Sequence, residues 1–248
     1  VSLVATVSRI AFAKALEGRT SAGAVLNAPK EPLDRLGEKP VIAVYTGAIK
    51  FDPRGRDLYG STADQIIELV IQMILPPGNV VVEGMELTMN DAGAGFGMDL
   101  LWRQVVDALA DPANTWADLY REIVRAYAGF TSAPVLVEVE RNVPVPYREV
   151  QLNCRMIPEP SMGAPLSTVW QKIDAKLRTD PELVPVADAL KVMIERPAGM
   201  PSWRITQARM GWSDAEIRAS GLAPLDATET GEAPTLEGAI VEDGEADD

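Results

Sequence analysis

Apolar residues recur at three- and four-residue intervals at the start of the chain: Leu3, Val7 and Ile10, with Val4, Ala11 and Ala15 beside them. This spacing gathers a stripe on one side of a helix that ends near Gly18. Gly23 is followed by Ala24–Leu26 and two prolines. A β-branched run, Pro40-Val-Ile-Ala-Val-Tyr45, is then stopped by Thr46-Gly47 and reads as a buried strand. Residues 47–63 mix Gly, Pro, Asp and Arg with no apolar period, so they are expected to form a long loop, a feature that in a compact domain hints at a contact surface.

Asp64–Leu75 fits two templates. Ile66, Leu69, Val70 and Met73 keep helical spacing, whereas the β-branched density and the Pro76-Pro77-Gly78 stop suit a strand. Val80–Leu87 can form one short strand. Asn90–Gly97 reads as a flexible, glycine-rich lead into a helix over Met98–Leu109. Thr115 is an expected N-cap for a helix running through Trp116, Leu119, Ile123 and Tyr127 to Gly129. Two strands follow: Pro134–Glu140, and Tyr147–Ile157 with Val150, Leu152, Cys154 and Met156 on one face. Pro158, Pro160 and Pro165 punctuate a linker. Two helical patterns, Thr168–Leu177 and Pro181–Ile194, and a Trp203–Leu222 segment then make a smaller C-terminal region, and no internal repeat is visible.

Composition narrows the chemistry. A chain of 248 residues that is 47% hydrophobic can bury a core as one good-sized domain or two small ones. Its formal charge of −13 disfavours nucleic acid as the primary ligand. Nine acids without a base lie between Asp226 and Asp248, so residues 1–225 carry only four of the net negative charges. That terminal block is expected to be a solvated, disordered tail. The chain contains no histidine, which removes the usual general base and the commonest transition-metal ligand. Cys154 alone can form neither an intrachain disulfide nor a thiolate zinc site. Val1–Leu16 is interrupted by Ser2, Thr6, Ser8, Arg9 and Lys14, so it lacks the apolar run of a signal peptide or membrane span; the expectation is a soluble protein used without export.

Candidate sites are few. Gly93-Ala-Gly-Phe-Gly97 precedes a predicted helix, but position 98 is Met98 rather than the glycine of a dinucleotide fingerprint, which leaves a hinge or mobile loop as its reading. Phe51–Asp57 sets Arg54 and Arg56 between Asp52 and Asp57 around a turn, either as an anion-holding fork or as a surface ion-pair loop. Glu83, Glu86, Asp91 and Asp99 could supply oxygens to a divalent cation, without the spacing of an EF-hand; solvated charge is the simpler reading. Trp102, Trp116 and Trp170 fall on apolar helix faces and read as core, and Cys154 as a small buried hydrophobe.

The order of parts has a counterpart. An opening helix, the segment Thr20-Ser-Ala-Gly-Ala-Val-Leu-Asn-Ala-Pro29 and the strand Pro40–Tyr45 resemble the tail terminator family of long-tailed bacteriophages. So do Leu100–Leu109, Trp116–Ile123 and the final strand Val150–Ile157, and the likeness spans roughly residues 1–158 by element order. The Pro76–Gly97 insertion and residues 159–248 depart from the compact members. The resemblance implies an α+β subunit, a mixed, mostly antiparallel sheet flanked by helices over 1–158, to which this chain's own patterning adds a small helical extension over 159–225 and the acidic tail over 226–248. It also implies that Asp64–Leu75 is a strand.

The functional implications of the resemblance follow. The subunit would form a homomeric ring, six copies being expected, at the head-proximal end of the tail. That ring would end polymerisation of the tail tube protein and dock the head-completion, or stopper, protein in the virion neck, after assembly in the host cytoplasm. No catalysis, cofactor, metal, membrane or sequence-specific nucleic acid enters this picture. Within it, Gly47–Ala63 and Pro76–Gly97 become axial contact elements, with Arg54, Arg56, Asp57, Glu83 and Glu86 as the interaction residues. The alternatives are a neck or head-completion protein of the same virion, and a metal-dependent hydrolase using the carboxylates named above.

Overall fold

A computed structural model describes residues 2–30, 39–51, 65–76, 80–82, 84–87, 91–139, 143–160, 163, 165–195 and 201–223. The fold is α+β. Among the described residues, seven helices accompany a five-stranded sheet of order β1-β2-β3-β7-β6, in which β1 is parallel to β2 and every other pairing is antiparallel. The strands are β1 (Ala24–Asn27), β2 (Val41–Phe51), β3 (Gln65–Ile74), β6 (Val124–Val139) and β7 (Val143–Met156). A separate hairpin pairs β4 (Val80–Val82) with β5 (Met85–Leu87), and its turn uses Gly84 at φ +77°, a left-handed conformation that favours glycine.

β3 decides the ambiguity of its segment. Its ten residues alternate buried and half-buried without a break, with Gln65, Ile67, Leu69, Ile71 and Met73 turned inward. Flanked by β2 and β7, it has both edges hydrogen-bonded, so pairing outweighs the helical spacing of Ile66, Leu69 and Met73. The inward residues meet Val150, Leu152, Cys154 and Met156 of β7 and Ile42 and Val44 of β2. Each large apolar side chain so buried contributes about 1.5–3 kcal/mol.

One face of the sheet is covered by helices α1 (Leu3–Leu16), α2 (Asp91–Ala110) and α3 (Thr115–Ile123). Phe12 of α1 meets Tyr120 of α3 edge to face, with ring centroids 5.2 Å apart. α4 (Thr168–Leu177) packs on α3, and α5 (Val184–Ile194) on α4; Trp170, Ile173, Leu177, Ala187, Leu190 and Ile194 join the same apolar cluster. At the start of α1, Glu159 accepts from Leu3 N (3.1 Å), Val4 N (3.4 Å) and the Ser2 hydroxyl, which ties the linker after β7 to a helix N-terminus.

Several expectations are corrected. Residues 47–51 extend β2 instead of opening a loop, because Ile49, Lys50 and Phe51 pair with Ile67, Ile66 and Gln65 past an irregularity at Thr46/Ile49. α2 begins at Asp91, so the glycines at 93, 95 and 97 lie inside a helix. α3 ends at Ile123, and its N-cap is Asn114, not Thr115. Val80–Leu87 is a hairpin rather than one strand. The 203–222 segment holds two short helices, α6 (Ser202–Met210) and α7 (Asp214–Ala219), separated by Gly211 at φ +62° and by the capping box of Ser213 and Glu216.

Candidate interaction surface

The residues singled out in the sequence divide between two fates. Arg54, Arg56, Asp57 and Glu83, with all of residues 52–64 and 226–248, lie outside the described residues. Glu86 is the middle residue of β5, opposite Val81. Asp91 opens α2, and Asp99 is an exposed residue of that helix whose carboxylate pairs with Arg148 at 2.6 Å. Among the described residues no group of three or more His, Cys, Asp or Glu side chains could hold a metal ion. No helix among them is long and apolar enough to cross a membrane.

The tryptophans and the cysteine are absorbed by packing. Trp170 is buried, while Trp102 and Trp116 are partly buried against the core, with the Lys176 ammonium 4.7 Å from the centroid of the Trp116 ring. The Cys154 Sγ lies 3.6 Å from the Tyr120 hydroxyl, and burial pushes its thiol pKa up to about 11. A thiol held protonated in this way is a packing group, not a nucleophile.

Two surfaces remain. The first is the second face of the sheet, where Gln72, Tyr147, Glu149 and Gln151 lie half-buried on adjacent strands. The Glu149 carboxylate accepts from the Tyr147 hydroxyl (2.8 Å), Gln151 Nε2 (2.9 Å) and Gln72 Nε2 (3.2 Å). These donors, Tyr147 first, hold its pKa below the ordinary value, while burial, and after it the same pairing, raises that of Tyr147. Because three donors already converge on it, this carboxylate is built to be satisfied within the fold.

The second surface is the flank formed by β6. β6 is an edge strand, and its residues 125–133 are exposed throughout except for the half-buried Gly129. Tyr127 and Phe130 are 58% and 56% exposed, and the Phe130 ring sits 5.7 Å from that of Trp102 on α2. Val106, one turn beyond Trp102, is exposed as well. Register places Tyr127 beside Cys154 and Phe130 beside Leu152, so both aromatics continue the buried face of β7 outward past the edge of the sheet. Between Ile123 and Val137 the sequence holds a single charge, Arg125. The combination is an aromatic ridge with low charge on the rim of an acidic chain.

The ridge is absent from the sequence-level candidates for a definite reason. Trp116, Leu119, Ile123 and Tyr127 keep a helical period across the real boundary, which carries the predicted helix on to Gly129. Pairing of Val124–Gly129 with Asn153–Met156 overrides that period. The signal that could have revealed it is the cluster Val124, Tyr127, Phe130 and Thr131, all strand-preferring residues, around a glycine at which helices commonly stop. No family model matches the chain. No curated protein matches it either.

Proposed function

We propose that this chain is a structural subunit of the tail terminator type: a member of a ring that caps the tail tube of a long-tailed phage and receives the head-completion protein. The observation that carries the reading is β3. The family likeness requires a strand at this point whereas local periodicity leaves a helix open, and Gln65–Ile74 is a strand at the centre of the sheet. The order over 1–158 is one helix, three strands, the β4–β5 hairpin, two helices and the antiparallel pair β6–β7; the opening helix, the first three strands, the two helices and the amphipathic β7 support the reading. The exposed ridge on β6 gives such a subunit surface to present to neighbours.

In this reading the ring has six copies, its place is the neck of the virion, and assembly precedes head joining in the host cytoplasm. The test is direct. Full-length protein is mixed with polymerising tail tube protein, and the products are imaged and their lengths measured. A ring at one end of tubes, with elongation stopped, is the expected result. Tubes that elongate unchecked with no added density at either end refute the proposal, and a closed ring of another size refutes the count of six.

A further inference from the structure

Arg9 is a cation that the fold partly buries and leaves without a counter-ion. It reaches from α1 to the ends of two strands, where its Nε donates to Asn27 Oδ1 of β1 at 2.6 Å and its Nη1 to Thr46 Oγ1 of β2 at 3.3 Å. Both partners are neutral, and no carboxylate among the described residues pairs with it. By contrast, Arg19, Arg103, Arg121, Arg148, Arg178 and Arg204 each pair with an aspartate. In a chain of 36 acids against 23 bases, carboxylate partners are not scarce. Burial lowers the pKa of the Arg9 guanidinium from its ordinary value, as it does for a charge taken from water with no anion to offset the loss.

The polar atoms left over at this place are donors. Arg9 Nη2 makes no hydrogen bond among the described residues, and with Oδ1 committed to Arg9 the remaining polar side-chain atom of Asn27 is the donor Nδ2. Asn27 is exposed, and Arg9 and Thr46 are half-buried, so a group from solvent can reach them. The backbone beneath is fixed. Asn27 lies opposite Val44 in the β1–β2 pairing, and Ala28 next to it takes φ +48° while its N–H donates to Val44 O at 2.9 Å. An alanine in that left-handed conformation persists only where its surroundings hold it. We infer that Arg9, Asn27 and Thr46 form a binding site for a single oxyanion group, a carboxylate or a phosphate, whose oxygens accept from Arg9 Nη2 and Asn27 Nδ2. The guanidinium supplies both the charge and the planar donor geometry that such groups match. The group is borne either by a free anion or by an acidic side chain of a second copy of the chain, and both present the same oxygens. The inference does not depend on the ring reading.

The experiment titrates the full chain with sodium phosphate and with sodium acetate, at an ionic strength held constant with chloride so that screening does not change. NMR follows the Arg9 Nε–H and the Asn27 side-chain amide. A saturating shift of both signals is expected. In Arg9→Gln the midpoint read at the Asn27 amide should rise by about tenfold or more, as for a lost hydrogen bond to a charged group. Arg9→Lys keeps the charge without the planar fork and should also bind more weakly; it replaces the glutamine variant if thermal melts show that one unfolded. A role confined to pinning α1 to the two strands would lower the melting temperature of the variants and give no anion response in the wild type. Dilution in chloride alone separates the two sources: a shift that accompanies a fall in mass identifies a carboxylate of a second copy, and a shift with added anion only identifies a free one. No saturating shift with either anion and none on dilution, or an equal response in Arg9→Gln, overturns the inference.

Discussion

Asn114 is a buried junction between three helices, and replacing it separates two roles that a helix cap usually merges. Its Oδ1 accepts from Trp116 N (3.2 Å) and Ala117 N (3.3 Å) at the start of α3, while its Nδ2 donates to Ala15 O and Ala108 O, both at 2.8 Å, near the ends of α1 and α2. Asn114→Ala removes the cap, worth about 1 kcal/mol. It also strips a donor from two carbonyls in a buried setting, each costing about 1–3 kcal/mol when left unsatisfied. Because the losses share one site they do not add fully, and a total of about 3–5 kcal/mol is expected. At roughly 2–4 °C per kcal/mol for a chain of this size, the melting temperature should fall by about 6–20 °C.

Asn114→Asp is the sharper probe. At an ordinary N-cap Asp and Asn are nearly equivalent. Here an ionised Asp would keep the cap and turn a carboxylate toward two carbonyl oxygens, so it should be at least as damaging as Ala. Urea unfolding at pH 7, with midpoint and slope for all three proteins, measures the difference. An Asp variant within about 1 kcal/mol of the wild type would show that the cap alone matters and would refute the argument from the two carbonyls.

The donors around Glu149 stabilise its ionised form, so their contribution is complete above its ordinary pKa near 4.3 and is lost as the pH falls through the lower folded-state value. Glu149→Gln should therefore be less stable than the wild type at pH 6, with the gap in melting temperature closing toward pH 3; a gap that stays constant or widens contradicts this. Cys154, fully buried with a raised pKa, should resist a thiol-specific reagent at pH 8 in the native protein and react at one equivalent in denaturant. Stoichiometric labelling of the native chain within seconds would contradict the burial.

How far the fold could be read in advance depended on where local pattern and tertiary pairing agree. α1, the first half of β2, β7, α4 and most of α5 carry periods that match their final faces. The errors fall where glycine or a boundary intervenes. Gly93, Gly95 and Gly97 look like a loop, yet a helix of twenty residues tolerates them at roughly 1 kcal/mol each relative to alanine. At Ile123/Val124 the helical period continues into a strand because β7 offers hydrogen bonds that no local rule contains. At β3 the local pattern left helix and strand open, for the same reason. The interaction surface was harder still. An exposed aromatic and a buried one look alike in a sequence, and only the position of β6 at the edge of the sheet makes Tyr127 and Phe130 surface groups.

The central strand also sets the order in which the protein can become complete. β3 pairs on one side with β2, close in sequence, but on the other with β7, roughly eighty residues later, so the sheet belongs among the late-closing topologies. During synthesis Gln65–Ile74 emerges long before its second neighbour, with one unsatisfied edge and an apolar face. The nascent chain therefore has no finished sheet until Met156 has left the ribosome, and the β6 ridge has no paired neighbour before β7 is made. Connectivity itself thus makes closure of the exposed aromatic edge one of the last events in building the sheet.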